Sequence, residues 1–430
     1  MSRSWDSSRG RHVPRRRRSL HRRTLGRIVV LGVAVAALAA GGATAFASGS
    51  VRDVIARNLS GGGETSQQAA AQDVPPVLTV APNPGTTDVA PRAPVRADVT
   101  SGELRDVALT SNEGKKVAGT LAPDRRSWTP SEPLGYGHQY TWSGSWIRPD
   151  GVPQPLGGGF GTVDPDRTTD ARLNIDDGDQ VGVAAPIIIQ FDRDLSDQAK
   201  AAVERTLTVT SSKKAEGSWA WLPDTADGSR VHYRTQKYWP AGSKVTVKAP
   251  LYGVDMGDAG WGEEDLSSTF TIGRSQIVKA DTQSHQIAVV RDGKEVARYD
   301  ASYGKESDPN RVTRGGTHIV MAKSEKVLMS NPEYGYVNQP EYWAVRISNN
   351  GEFIHANPAS VGAQGNRNVS HGCVNLSTKD ARAYFDSAMF GDPVEVTNSS
   401  VPLSAQDGDI YDWAIPWNEW KGMSALAQKR

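Results

Sequence analysis

Ser370-His371-Gly372-Cys373-Val374-Asn375-Leu376 is the most informative stretch of this chain, and Cys373 is its only cysteine. His355 lies upstream, with fourteen residues between it and Ser370. A thiol is a good nucleophile only as the thiolate, and a nearby imidazole can take its proton or stabilise the anion. Acyl transfer also needs donors for the developing oxyanion. A glycine at 372 lets the backbone come close, so the N–H groups of Gly372 and Cys373 suit that task. A helix starting just behind the turn would add a dipole that favours a thiolate. On the residues alone three readings stand. The first is a cysteine acyltransferase or peptidase. The second is a zinc site with His355, His371 and Cys373 as ligands, although neither a second Cys nor a His-Glu-x-x-His motif accompanies them. The third is an inert buried cysteine with incidental histidines.

Outward from this stretch the texture is that of short strands. Gln286-Ile287-Ala288-Val289-Val290, the pair Asp292-Gly293, and Glu295-Val296-Ala297-Arg298-Tyr299 read as a hairpin with an Asp-Gly turn. Further strands are expected at 318–322, 343–348 and 352–355. Ser377, with Asp380 three residues on, reads as a helix cap. That helix should run through Ala383, Tyr384 and Met389 and stop at Gly391-Asp392-Pro393, with Val394-Glu395-Val396 as a closing strand. In the tail, Trp413, Trp417 and Trp420 are spaced to share one face of a short helix, although Pro416 interrupts it. Packing onto the catalytic unit is the expectation for them.

Residues 76–273 hold a weak internal repeat. One copy has Ala93-Pro94-Val95, Leu109-Thr110, Gly119, Trp128 and Tyr140-Thr141-Trp142. The other has Ala185-Pro186-Ile187, Leu207-Thr208, Gly217, Trp219, Trp221 and Val245-Thr246-Val247, with Ile187-Ile188-Ile189-Gln190-Phe191 as a clear strand. Two units of about 100 residues with this texture predict immunoglobulin-like β-sandwiches. No cysteine pair pins them. They contain no convergent set of polar residues, which predicts spacers ahead of a flexibly linked catalytic unit.

The N-terminus has a different character. Residues 1–27 hold ten Arg against the single acid Asp6, while the whole chain has a net charge of +1. The basic charge is confined to one tail beside an apolar run, which is not the pattern of a nucleic-acid binder. The run 28–47 lacks charged residues, and about 20 apolar residues suffice to cross a bilayer. Its basic flank keeps the N-terminus inside, so the rest is exported. Ala45-Phe46-Ala47 also resembles a signal cleavage site. Residues 51–75, rich in Gly, Ser, Gln and Ala, read as a flexible spacer.

His355, the fourteen-residue interval and Ser370-His371-Gly372-Cys373-Val374-Asn375 together resemble the signature of the L,D-transpeptidase (YkuD-like) catalytic domain. The resemblance runs over residues 277–398 and includes Gly315-Gly316-Thr317-His318. Two sandwiches behind a membrane-proximal segment are similar to the larger members of that family. The resemblance implies a mainly β fold: two immunoglobulin-like β-sandwich domains, then a mixed-β catalytic domain with a short helix after the cysteine. The expected division is 1–27 basic cytoplasmic tail, 28–50 transmembrane anchor or signal segment, 51–75 flexible linker, 76–165 and 166–273 sandwiches, 274–398 catalytic domain and 399–430 Trp-rich extension.

The resemblance also implies residue roles. Cys373 is the nucleophile and His355 its general base, oriented by the backbone carbonyl of Ala356. His371 is a third catalytic residue that helps shape the site, Ser370 belongs with the substrate-binding and oxyanion residues, and Gly372 and Cys373 supply oxyanion N–H groups. Asn375 supports the site or binds the donor peptide. A lid tyrosine is expected within 329–342, with Tyr336 the assigned candidate beside Tyr334 and Tyr342. The implied reaction acts on peptidoglycan stem peptides. Cys373 attacks the bond between a diamino acid and a terminal D-Ala, and a side-chain amine of a neighbouring stem resolves the acyl-enzyme into a 3→3 cross-link. Carbapenem-type β-lactams would acylate the same thiol, and neither cofactor nor metal is implied. The protein would act in the cell envelope, outside the cytoplasm. An L,D-carboxypeptidase on the same scaffold, or a non-catalytic wall-binding protein, are the alternatives.

Overall fold

The computed structural model describes residues 77–405 and 410–427. The basic tail, the apolar run and the linker lie outside the described residues, so the anchor and spacer expectations are not addressed by it. Among the described residues no helix is long and apolar enough to cross a membrane.

The fold is mainly β. In the first sandwich, Leu78–Ala81, Arg96–Val99, Ser127–Pro130 and Gly119–Leu121 form one sheet in that order. Glu103–Ser111, Gln139–Ile147 and Pro153–Pro155 form the other, with Gly159–Gly161 also paired to the middle strand. Along Gln139–Ile147 the residues Tyr140, Trp142 and Trp146 turn inward. This is the period-2 pattern of a strand with one face in a core. Trp142 meets Trp128 edge-on at 5.3 Å between ring centroids.

The second sandwich repeats the plan. Ala171–Leu173, Ile187–Phe191, Gly228–Thr235 and Gly217–Thr225 face a sheet of Gln180–Val181, Leu266–Ile272, Lys244–Ala249 and Thr208–Ser211. Ile187, Ile189 and Phe191 fill its centre. A helix at Asp197–Glu204, capped by Ser196, is an addition that the strand texture did not predict.

The third unit has two sheets. Lys294–Asp300, Gln286–Arg291, Gln276–Asp281, Pro393–Thr397 and Gly316–Ile319 form the five-stranded one. Ala322–Asn331, Tyr336–Arg346, Phe353–Ala356 and Val374–Leu376 form the four-stranded one. Val278, Ile287, Tyr303, Val345, Ile354, Val374 and Tyr384 make the core between them. The helix Thr378–Ser387 starts at Ser377, whose Oγ accepts from the N–H of Asp380 at 3.1 Å. The strand Val374–Leu376 separates it from Cys373. The expected dipole effect on the thiol therefore does not apply, because such a field fades within the first turn.

Two expectations about packing are overturned. The catalytic unit is not loosely attached to the second sandwich. Gly182 and Ala184 N–H groups donate to the carbonyls of Phe390 and Gly391 at 2.7 and 2.8 Å. Gly391 has φ +84°, and a Cβ there would sit 2.4 Å from that of Ala185. Only glycine allows so close a seam. Arg274, at the junction, pairs with the buried Asp392 at 2.8 Å.

The tail, for its part, packs mainly on the second sandwich rather than on the catalytic unit. Trp413, Trp417 and Trp420 converge on the guanidinium of Arg234, with ring centroids 4.8, 5.2 and 4.7 Å from its Cζ. Trp420 is fully buried with Ala220, Leu222, Leu403 and Tyr411. Its indole donates to the Ser218 carbonyl at 2.9 Å. Asp412 meets His232 at 3.0 Å in the same buried region. The physical reason is the sheet's outer face, which offers apolar Ala220 and Leu222 beside a cation that attracts the faces of indole rings.

Candidate active site

The turn 370–373 hangs between two sheet strands. Phe353–Ala356 and Val374–Leu376 run parallel, with Ile354 opposite Val374 and His355 opposite Asn375. This pairing brings the distant His355 beside the turn that holds Cys373. Gly372 has φ +118°, a conformation in which a side chain is strained. A Cβ there would be 3.6 Å from Glu352 Cγ, so the backbone angle rather than space calls for glycine.

Several groups fix the turn. Ser370 Oγ donates to the Cys373 carbonyl at 2.6 Å and accepts from the Gly372 N–H at 3.2 Å. Thr313 Oγ1 donates to the Gly372 carbonyl at 2.7 Å. Arg311 donates to the carbonyls of Val369 and Ser370 at 2.8 and 3.2 Å. Sequence reading singled out neither Arg311 nor Thr313, since both act on backbone carbonyls through contacts distant in sequence. One expectation is corrected here. The Gly372 N–H is already committed to Ser370 Oγ, so it is not a free oxyanion donor in this conformation.

Cys373 is a free, partly exposed thiol, with Sγ 3.6 Å from the Gly351 carbonyl. His355 is buried, and the Cys373 thiol is among the groups that act on its ring. Its Nδ1 lies 3.0 Å from the Ala356 carbonyl and 3.1 Å from Oε2 of Glu341. Burial alone would pull the ring's pKa down. The hydrogen bonds and negative charges of Cys373 and Glu341 outweigh it, and the ring is pushed up to about 10. Glu341 stands inside the stretch where a lid was expected, but nothing in its sequence context marks it as a partner for His355.

His371 differs. Its exposed ring lies 4.7 Å from that of Tyr334 and 5.7 Å from that of Tyr336. Burial and the nearby Arg311 charge pull its pKa below the usual range, against the opposing charge of Asp308. Asn375 is buried and its Oδ1 has no hydrogen-bond partner. Among the described residues, no group of three or more His, Cys, Asp or Glu side chains converges as a metal site would need.

The expected lid is a long hairpin, Ala322–Asn331 with Tyr336–Arg346, closed by a 3-10 turn at Pro332–Tyr334. Tyr334 and Tyr336 reach His371, whereas Tyr342 faces outward under Lys326. Burial first, then the charges of Cys373 and Glu341, raise the Tyr336 hydroxyl above its ordinary value.

A thiol beside a buried imidazole, on a two-sheet unit behind paired sandwiches, defines a class, and the chain belongs to the L,D-transpeptidase family. Residues 275–396 match the L,D-transpeptidase catalytic domain and residues 86–255 a bacterial Ig domain. The chain is 53% identical over 351 residues to L,D-transpeptidase 5 of Mycobacterium tuberculosis, covering 82% of this chain and 77% of that protein. It is 35% identical over 366 residues to L,D-transpeptidase 2 of the same species, covering 82% and 86%. A solved L,D-transpeptidase in complex with imipenem is 31% identical, covers 53% of this chain and 97% of that one, and has a TM-score of 0.44.

Proposed function

We propose that this L,D-transpeptidase works as a cysteine acyltransferase, with Cys373 as nucleophile and His355 as its acid and base. The supporting observation is the buried imidazole of His355, hydrogen-bonded through Nδ1 to the Ala356 carbonyl, with a pKa that the Cys373 thiol and Glu341 raise against burial. The donor is a stem tetrapeptide. The Cys373 sulfur attacks the carbonyl between the diamino acid and the terminal D-Ala. The C–N bond breaks, the D-Ala amine leaves with a proton from the His355 imidazolium, and a thioester remains. A side-chain amine of a second stem then attacks the thioester and gives its proton to His355. A 3→3 amide forms, and the thiolate is released.

The oxyanion falls to the Cys373 N–H, since the Gly372 N–H is held by Ser370. Ser370 and His371 keep the turn in shape. Asn375, with its unpartnered buried oxygen beside His355, supports the site or takes a polar group of the donor. Tyr336 closes over the donor as part of the hairpin. A carbapenem, whose strained amide resembles the donor bond, acylates the same sulfur. The apolar run 28–47 anchors the chain with its catalytic part on the wall side of the membrane. Recovery of a mature N-terminus near Ser48 would replace the anchor with a cleaved signal.

The test is mass spectrometry of a purified stem tetrapeptide incubated with the protein. A cross-linked dimer supports the transferase, and a tripeptide alone supports the carboxypeptidase. Absence of any product, together with no imipenem adduct on Cys373, would leave a wall-binding protein.

A further inference from the structure

The resemblance that names His355 assigns its orientation to a backbone carbonyl, yet two acceptors meet its Nδ1 in this chain. One is the Ala356 carbonyl at 3.0 Å and the other is the Glu341 carboxylate at 3.1 Å. The second comes from the hairpin strand Tyr336–Arg346, and an irregularity in that strand brings it there. Tyr342 is opposite Ala356, but Val345 is opposite Ile354, so one extra residue is accommodated between them. Trp343, in this bulge, has φ +52°, a conformation unfavourable for a bulky side chain. It is held there by Phe385, at 5.5 Å, and by Arg382, whose guanidinium lies 4.9 Å over its ring.

The bulge decides which way Glu341 faces. Side chains alternate along a strand, so an unbroken register from the Val345–Ile354 pair would place residue 341 on Val345's face, which is in the core. The extra residue inverts the alternation beyond it. Glu341 then shares the face of His355, and its side chain is mostly buried.

We propose that Glu341 is a positioning residue for the transfer reaction: its carboxylate, turned by the bulge at Trp343, lies against Nδ1 of His355 and holds the ring as the imidazolium facing the Cys373 sulfur. This rests on the reading of His355 as the acid and base of Cys373. The Ala356 carbonyl fixes the ring's orientation, and the carboxylate adds a full negative charge that a carbonyl lacks. The same hairpin carries Tyr334 and Tyr336 to the other side of the turn, so the element that walls the site also sets the charge of its base. The upward push on His355 accords with this geometry. The titratable groups facing the pair are Cys373 from the turn and Tyr336 from the hairpin. Across the turn, His371 stands with Arg311 and Asp308.

The experiment follows acylation of the full-length chain by imipenem, from intact mass, between neutral and alkaline pH. The wild-type rate should hold until His355 loses its proton, then fall. Glu341→Gln, close in shape but uncharged, should lower the limiting rate about 10-fold, the lower end for loss of a supporting partner. It should also move the alkaline fall down by about one pH unit or more, with the saturation concentration unchanged. Glu341→Asp keeps the charge and should keep the alkaline fall near its wild-type position. A Gln variant with the wild-type rate and profile overturns the proposal. So does an Asp variant whose alkaline fall moves down while its charge is retained, since a packing role would respond to length rather than charge. His355→Ala separates the two readings. If it collapses the rate while Glu341→Gln does not, only the role of Glu341 fails. If it leaves the rate intact, the reading of His355 fails and the role of Glu341 with it.

Discussion

The two histidines beside Cys373 occupy opposite environments. His355 is enclosed between strands, tied through Nδ1 to a carbonyl and a carboxylate, and its pKa is pushed up to about 10. His371 lies open against Tyr334 and Tyr336 with Arg311 nearby, and its pKa is pulled down. The same side chain is thus biased toward the cation on one side of the thiol and toward the neutral ring on the other. Nearness to a thiol therefore does not define a base. For His355 the thiol and Glu341 together outweigh burial, whereas burial and Arg311 both act against a proton on His371.

The most severe way to break the contrast is to remove the thiol that both histidines precede in the sequence. Cys373→Ala should abolish D-Ala release and the imipenem adduct seen by intact mass, and any surviving adduct would place the nucleophile elsewhere. His355→Ala comes next. It should lower the acylation rate on the order of 10²–10⁴-fold, the usual scale for a general acid or base, with part of the loss recovered at high pH, where the thiolate forms unaided. His371→Ala should cost less and show no such recovery, because the defect lies in the shape of the turn. If the recovery appears for His371→Ala and not for His355→Ala, the two roles are exchanged.

The smallest effect is on stability, and its sign differs for the two rings. His355 has a folded pKa above the ordinary 6.5. Its contribution is complete below about 6.5 and is lost as pH rises through about 10. His371 has a lowered folded pKa, so its contribution is present above the ordinary value and is lost as pH falls through the folded one. Urea midpoints measured against pH should flatten on the alkaline side for His355→Ala and on the acid side for His371→Ala. Matching flattening on one side for both variants would erase the contrast.

Much of the site could be read from its local chemistry. A lone cysteine, its glycine turn and a histidine at fixed spacing stand out as residue types, and the structure brings them together through one parallel strand pair. The 286–300 hairpin and the Ser377 cap were readable for a similar reason, since turn and cap preferences act over two to four residues. Glu341 was not readable. Its direction depends on a bulge, and no pattern of residue types announces where a strand gains a residue. The tail failed differently. The spacing of Trp413, Trp417 and Trp420 does place three rings on one cation, but the cation, Arg234, lies far back in the chain. Spacing shows that a face exists and is silent about its partner.

That partner sets a timetable. Ser218 and Trp420, joined by a hydrogen bond, are 202 residues apart. At synthesis rates of about 5–20 residues per second, the ribosome needs roughly 10–40 s to cover the interval. For that time Ala220, Leu222 and the Arg234 side chain wait without the rings that cover them in the finished protein. The second sandwich can complete its own core early, but its outer face stays sticky until Trp420 has been added. A chain broken off between residue 398 and Trp413 would keep Cys373 and His355 yet leave an apolar sheet face uncovered, a species prone to self-association.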